Sequence, residues 1–236
     1  MVLLSLTEET KQKAEEYAVR EVARQYETSE KTARQTVERL LQKEWLCAAD
    51  EDTVKGVLVY DCEERRVLFL AGDDISRTAL LDRLKDLFAE ECAARILVRA
   101  QQKDRYFYES YGFECCGEQM NDLHEMEYLL GRELIGKTVH VIVDHPLGSM
   151  HPTLAVYYPV NAGYAILNEE TADSYVIGPN EPLDAFTGTV CGIIYRRNSD
   201  RIRLIVCRTG EIPDKEKIIQ AVGFEEQYFE TRILWN

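Results

Sequence analysis

The sequence predicts an α/β chain in two parts: a mixed sheet with helices over residues 1–131, then a small closed β-barrel with a C-terminal helix over 132–236. Three observations predict it. Apolar residues recur at helical spacing before residue 45 and again over 76–91. Around these runs the apolar spacing is that of short strands. Beyond Gly131 the chain holds strand-like runs punctuated by Gly and Pro, the pattern of a barrel, until a last helical stretch.

Taken in order, Thr7-Glu8-Glu9 opens an amphipathic helix with Ala14, Tyr17, Ala18 and Val22 on one face, running to about Tyr26. Thr28 or Ser29 caps a second helix, whose stripe is Ala33, Val37, Leu40 and Leu41. Residues 45–49 and 54–60 are strands around an acidic turn, and 66–71 is a third. The helix over 76–91 puts Leu80, Leu81, Leu84, Leu87 and Phe88 on one face. A strand at 95–100, a short helix to Tyr111 and a β pair at 114–117 and 125–129 complete the first part. Residues 131–137 are the junction. Strands are then expected at 138–143, 154–158, 175–177, 189–195 and 203–206, with a helix from Pro213 to about Phe229.

The 236 residues are 45% hydrophobic and 30% charged, an ordinary globular composition. No apolar run reaches the roughly 18–20 residues that span a bilayer, and the short apolar start lacks the basic flank of a signal peptide. A cytoplasmic protein without a membrane partner is expected. The seven cysteines have no CxxC spacing and are read as reduced thiols; Cys115-Cys116 has no assigned role. The net charge of −14 falls mostly in residues 1–131, with 18 Lys and Arg against 28 Asp and Glu. The helix-turn-helix cadence of residues 23–34 is therefore set against a surface that repels phosphate backbones, and no nucleic-acid partner is expected.

The run Tyr106-Phe107-Tyr108-Glu109-Ser110-Tyr111-Gly112-Phe113, followed by His124-Glu125-Met126-Glu127-Tyr128, resembles the back half of a GNAT-type N-acetyltransferase. The resemblance implies direct transfer of an acetyl group from acetyl-CoA to a small-molecule or peptide amine. It also implies a strand splayed to pair with the pantetheine, a Gly-rich turn whose helix N-terminus holds the pyrophosphate, and a Tyr near the sulfur as general acid. It places that acid at Tyr108, the splayed strand at 67–71 with Leu70, and the turn at Gly72, Ile75, Ser76, Arg77 and Thr78. There the sequence departs from the family's G-x-G or G-x-A, reading Gly72-Asp73-Asp74-Ile75-Ser76-Arg77-Thr78-Ala79. Two carboxylates repel a pyrophosphate and β-branched side chains crowd its approach. Arg77 and the helix N-terminus recover part of the attraction. Without the surrounding pattern, Tyr108 is better read as an aromatic helix residue packed on the sheet.

In the second part, Asp144-His145-Pro146-Leu147-Gly148-Ser149, Tyr158-Pro159-Val160-Asn161, Gly163-Tyr164 and Phe224-Glu225-Glu226-Gln227-Tyr228-Phe229 resemble the family I soluble inorganic pyrophosphatases. These are OB-like barrels that hydrolyse pyrophosphate with a Mg2+-activated water. The resemblance leaves Glu170 and Asp173 as metal ligands from the D-x-D-P-x-D signature, and puts Tyr164 and Arg203 among the phosphate-binding groups. It also departs from the family, with Ala162 for a phosphate-binding Tyr, Arg203 for a Lys and His145 for an Arg, while Asp200 alone stays acidic in residues 197–203. That exchange removes charge that a multi-metal site needs. Arg197, Arg201, Arg203 and His145 form a site for phosphate or another anion if they converge, and a solvated hairpin tip if they do not. His140 and His151 lack metal-ligand spacing and are read as structural.

Three functions follow. The first is an acetyltransferase with an accessory barrel, the second a metal-dependent phosphohydrolase of altered specificity, and the third a binding or scaffold protein with neither activity.

Overall fold

In the computed structural model, which describes residues 2–4, 8–50, 53–117, 122–167, 169–211 and 214–235, the first helical pattern folds as α1 (Glu8–Gln25) and α2 (Glu30–Leu40). Thr7, Asn168 and Pro213, which figure in the sequence reading, lie outside the described residues. Ser29 is the cap of α2, its hydroxyl accepting from Thr32 N at 3.2 Å. The apolar stripes of both helices are buried, with Ala14, Ala18, Val22, Ala33 and Val37 packed against Trp45, Val57, Val59 and Phe69 of the sheet.

That sheet has the order β1-β2-β3-β4-β5-β7-β6. Its first four strands, β1 (Val2–Leu4), β2 (Glu44–Asp50), β3 (Thr53–Asp61) and β4 (Arg66–Gly72), form an antiparallel meander. β3 has buried residues on both faces, which explains its continuous apolar run. α1 covers one face, and α3 (Asp74–Glu90) the other, where Leu80 and Ser76 sit against Gly56. The chain returns through β5 (Arg95–Gln101), parallel to β4, then α4 (Gln102–Tyr111), β6 (Glu114–Cys115) and β7 (Leu123–Leu129).

The strands of the second part close on themselves. β8 (Thr138–His145), β9 (Asn161–Leu167), β10 (Glu170–Ile177), β11 (Ala185–Arg196) and β12 (Arg203–Cys207) form a five-strand barrel. Four antiparallel pairings and the parallel pair β10–β12 complete the ring. Inward residues such as Val141, Ala165, Ala172, Val190, Ile193 and Leu204 fill it. α5 (Lys215–Glu226), capped by Asp214, buries Ile218 and Val222 against Tyr158, Tyr175, Ile194 and Ile205. β13 (Thr231–Trp235) then adds to the edge of β11.

The mixed α/β architecture with a barrel and C-terminal helix is thus present, with differences in detail. No strand forms over 154–158, a segment held between Pro152 and Pro159, where only the bridge Met150↔Tyr157 occurs. β1, β9 and β13 are additional. Cys191 and Cys207, on adjoining strands, form a disulfide, against the expectation of seven reduced thiols. Contacts divide the chain into two compact units, residues 1–87 with 96–128, and 88–95 with 129–236. The short segment 88–95 belongs to the second unit through hydrogen bonds such as Ala94 N to Asp200 O and Leu130 N to Ala94 O. Among the described residues no helix is long and apolar enough to cross a membrane.

Candidate active site

Among the described residues of the first unit, the sheet opens between β4 and β5. β4 and β5 pair only at Arg66↔Leu97 and Val67↔Val98, although β4 continues to Gly72 and β5 to Gln101. Beyond Val67 the two strands part. The resulting wedge is walled by Leu68, Phe69 and Leu70 of β4 and Arg99, Ala100 and Gln101 of β5, with Gln25, Tyr26, Arg77, Asp104 and Tyr108 at its margins. Unpaired main-chain edges of this kind accept an extended chain through ladder hydrogen bonds.

Tyr108 is set in the wall of this wedge by the end of α4. The helix stops at Gly112, whose φ of +114° suits glycine and whose N–H donates to Tyr108 O and Glu109 O. A side chain there would also press on the Tyr128 ring. Phe113 N closes the turn onto Tyr108 O. The Tyr108 ring is held edge-on between Phe107 at 5.4 Å and Phe113 at 5.3 Å. Its hydroxyl makes no hydrogen bond among the described residues. Burial first, then the charge of Asp104, pushes its proton affinity well above that of an ordinary phenol, so it stays protonated. Of the residues read from the sequence, Leu70, Arg77 and Tyr108 therefore meet at one cleft.

The turn into α3 is arranged differently. Gly72 has φ +140°, and an added Cβ would lie 2.8 Å from Lys55 O, so the turn is folded tightly onto β3. Asp73 then caps the helix, its Oδ1 accepting from Ser76 N at 2.7 Å, while Arg77 N donates to Asp73 O. Those bonds from Ser76 hold the Asp73 carboxyl below the usual carboxylate range. Ser76 is buried against Gly56, Ile75 is 74% exposed, and neither they nor Thr78 and Gly72 line the wedge. The Arg77 guanidinium lies 3.6 Å over the Phe107 ring and reaches Asp74 at 3.0 Å and Asp104 at 3.2 Å. Ser76 N and both terminal nitrogens of Arg77 are taken by the chain's own carboxylates, which leaves Arg77 Nε without a partner among the described residues. The wedge fits the amide-bearing arm of CoA; the turn does not fit its diphosphate.

Asp104 is one of the wedge residues that sequence reasoning missed, with Gln25, Tyr26, Arg99 and Gln101. Its signal was its place in the first turn of the helix after the 95–100 strand, where an acidic side chain complements the helix dipole and here also meets Arg77.

In the barrel, a cavity of about 120 Å³, open to solvent, is lined by Asp144, His145, Tyr158, Ala162, Asp173, Tyr175, Arg203 and Glu225, among others. Its floor is an ion cluster. Arg203 donates to Tyr175 Oη at 2.7 Å and to Asp173 at 2.9 Å, and lies 2.9 Å from Glu225. Arg196 bridges Glu225 at 2.7 Å and Glu226 at 2.6 Å. Burial alone would raise the Glu225 carboxyl, but the Arg203 charge and the bonds from Tyr175 and Arg196 hold it down at about 2. On the rim, His145 and His151 both stack on Tyr158, at 4.8 and 5.1 Å.

This arrangement does not fit Mg2+. Glu170 is paired with Arg201 at 2.8 Å and Asp173 with Arg203 at 2.9 Å. Among the described residues no group of three His, Cys, Asp or Glu is placed to hold a metal ion. Guanidinium groups stand where a multi-metal site would need cations. Tyr164 is opposite Asp173 across the β9–β10 ladder but is not in the cavity wall. The loop arginines do not converge: Arg197 pairs with Glu230, Arg201 with Glu170, and only Arg203 and His145 share the cavity. His140 bonds Thr187 and His151 accepts from Leu154 N, both structural roles.

No protein-family model and no curated protein matches this chain. Among solved structures, the PaiA N-acetyltransferase of Thermoplasma acidophilum, solved in complex with coenzyme A, is similar at 16% identity and a TM-score of 0.47, over 54% of this chain and 98% of its own. An aminoglycoside 6'-acetyltransferase type Ii is similar at 16% identity and a TM-score of 0.45, over 55% and 97%. An inorganic phosphatase of Anaplasma phagocytophilum is similar at 13% identity and a TM-score of 0.28, over 42% and 82%.

Proposed function

We propose that the first part of the chain is an N-acyltransferase that moves an acyl group from a thioester to a small-molecule or peptide amine, with the barrel as its accessory unit. The observation that carries this reading is the wedge, an unpaired β4 edge beyond Val67 with the Tyr108 side chain in its wall. An extended amide-bearing arm bound along that edge directs its thioester towards Tyr108. The amine nitrogen attacks the thioester carbonyl, a C–N bond forms, the C–S bond breaks and sulfur leaves with the electron pair. Tyr108 donates its hydroxyl proton towards the departing thiolate as charge develops on sulfur. The proton lost by the amine passes to solvent, and Tyr108 takes one back from solvent to close the cycle. Next to the wedge, an open depression bounded by Tyr26, Gln102, Lys103, Asp122 and Leu123 gives the acceptor its approach.

Acetyl-CoA enters this reading through the Tyr108 motif, and the arm-binding wedge supports it. The phosphate turn does not. For the barrel no hydrolytic step is proposed, because Arg203 and Arg196 already neutralise its carboxylates. The test is incubation of the full chain with acetyl thioesters and a panel of primary amines, with products read by mass spectrometry. Acetylated amine is expected. No product, together with no thioester binding at millimolar concentration, would refute the proposal.

A further inference from the structure

We infer that the acyl donor is a thioester on a pantetheine-like arm, recognised without a neighbouring nucleotide diphosphate. This rests on the acyl-transfer reading of the wedge and narrows its substrate class. The wedge supplies what such an arm requires. The β4 edge beyond Val67 is free to pair with amides, and Leu70 and Tyr108 flank the position of the thioester.

At the far end the structure is built against a polyanion. The Ser76 N–H that would face a phosphate already bonds the Asp73 carboxylate at 2.7 Å, and Arg77 N bonds Asp73 O. Asp73 and Asp74 are both exposed, so two negative charges stand at the start of α3. Arg77, the cation within the turn, is shared between Asp74 and Asp104 and laid across Phe107. The close packing of Gly72 on Lys55 O and of Gly56 on Ser76 leaves the turn no room to sink away from its own cap. A diphosphate would have to displace a carboxylate from a helix N-terminus and face a second one. A donor that ends before the diphosphate meets neither obstacle.

Calorimetric titration of the full chain with acetyl-pantetheine and with acetyl-CoA tests this. The expected result is a Kd for acetyl-pantetheine within about threefold of that for acetyl-CoA, or tighter. The double variant Asp73→Asn, Asp74→Asn, which keeps a capping side chain, should tighten acetyl-CoA by about tenfold through removal of two adjacent charges and leave acetyl-pantetheine unchanged. A third titration, with an acetyl-loaded acyl carrier protein, separates two sources of the same arm. Tighter binding than acetyl-pantetheine points to the carrier, and equal binding to the free thioester. Acetyl-CoA bound tenfold or more tightly than acetyl-pantetheine would overturn the inference and leave acyl transfer standing. If no thioester binds, acyl transfer fails and the inference fails with it.

Discussion

Replacing Arg203 with methionine should cost the barrel about 3 kcal/mol at pH 7, the low end of what removing one partner from a buried ion pair costs. Its side chain is 15% exposed and bonds Asp173, Tyr175 and the Glu225–Glu226 pair, themselves only 12% and 6% exposed. A second route gives the same size. Glu225 is held at about 2 against an ordinary value of about 4.3, and at about 1.4 kcal/mol per pH unit that depression is worth roughly 3 kcal/mol. Arg196 stays in the variant and keeps part of it, which argues for the lower bound. Methionine preserves most of the stem, so the loss reports charge rather than volume. The sign with pH follows from a lowered carboxyl. The stabilisation is complete above the unfolded value and disappears as pH falls through the folded one. The gap between wild type and variant should therefore narrow from about pH 4.3 towards pH 2. Urea unfolding followed by Trp235 fluorescence, in a Trp45→Phe background that silences the only other tryptophan, reads the barrel alone. A loss below about 1 kcal/mol at pH 7, or a gap that stays constant down to pH 3, would refute the view that Arg203 holds these carboxylates.

Two further outcomes concern the wedge. Tyr108→Phe should leave stability within about 0.5 kcal/mol, because its hydroxyl has no partner to lose among the described residues, and should lower kcat by about 100-fold with KM unchanged; a kcat equal to wild type would remove Tyr108 from the reaction. Gly112→Ala forces an L side chain into φ +114° and against Tyr128, so melting should fall by the equivalent of more than about 1 kcal/mol, and thermal unfolding that matches wild type would contradict the geometry of the α4 stop.

The legible parts of this chain were those where local chemistry and tertiary packing agree. The Ala and Val stripes of α1 and α2 and the Ser29 cap are local signals, and they end in the buried positions they imply. β9 escaped notice because Ala162, Gly163 and Ala165 carry weak strand preference; its place is set by neighbours β8 and β10. The Cys191–Cys207 pair depends on the register between β11 and β12, which spacing does not reveal. At the first site the Tyr108 motif was readable, and so was the acidic turn. That Asp73 would fill its own helix N-terminus was not, since a capping bond is made only once the turn is folded. In the barrel, Glu170 and Asp173 have the residue types of metal ligands, but each meets an arginine from the β11–β12 hairpin, and those partners are 30 residues or more away along the chain.

Hydrogen exchange with and without saturating acetyl-pantetheine tests the central claim most directly, namely that the parted strands β4 and β5 are the donor site. The account predicts that amides within residues 68–71 become at least tenfold more protected as the arm completes the ladder. Exchange there that does not change, with protection arising elsewhere, would contradict it.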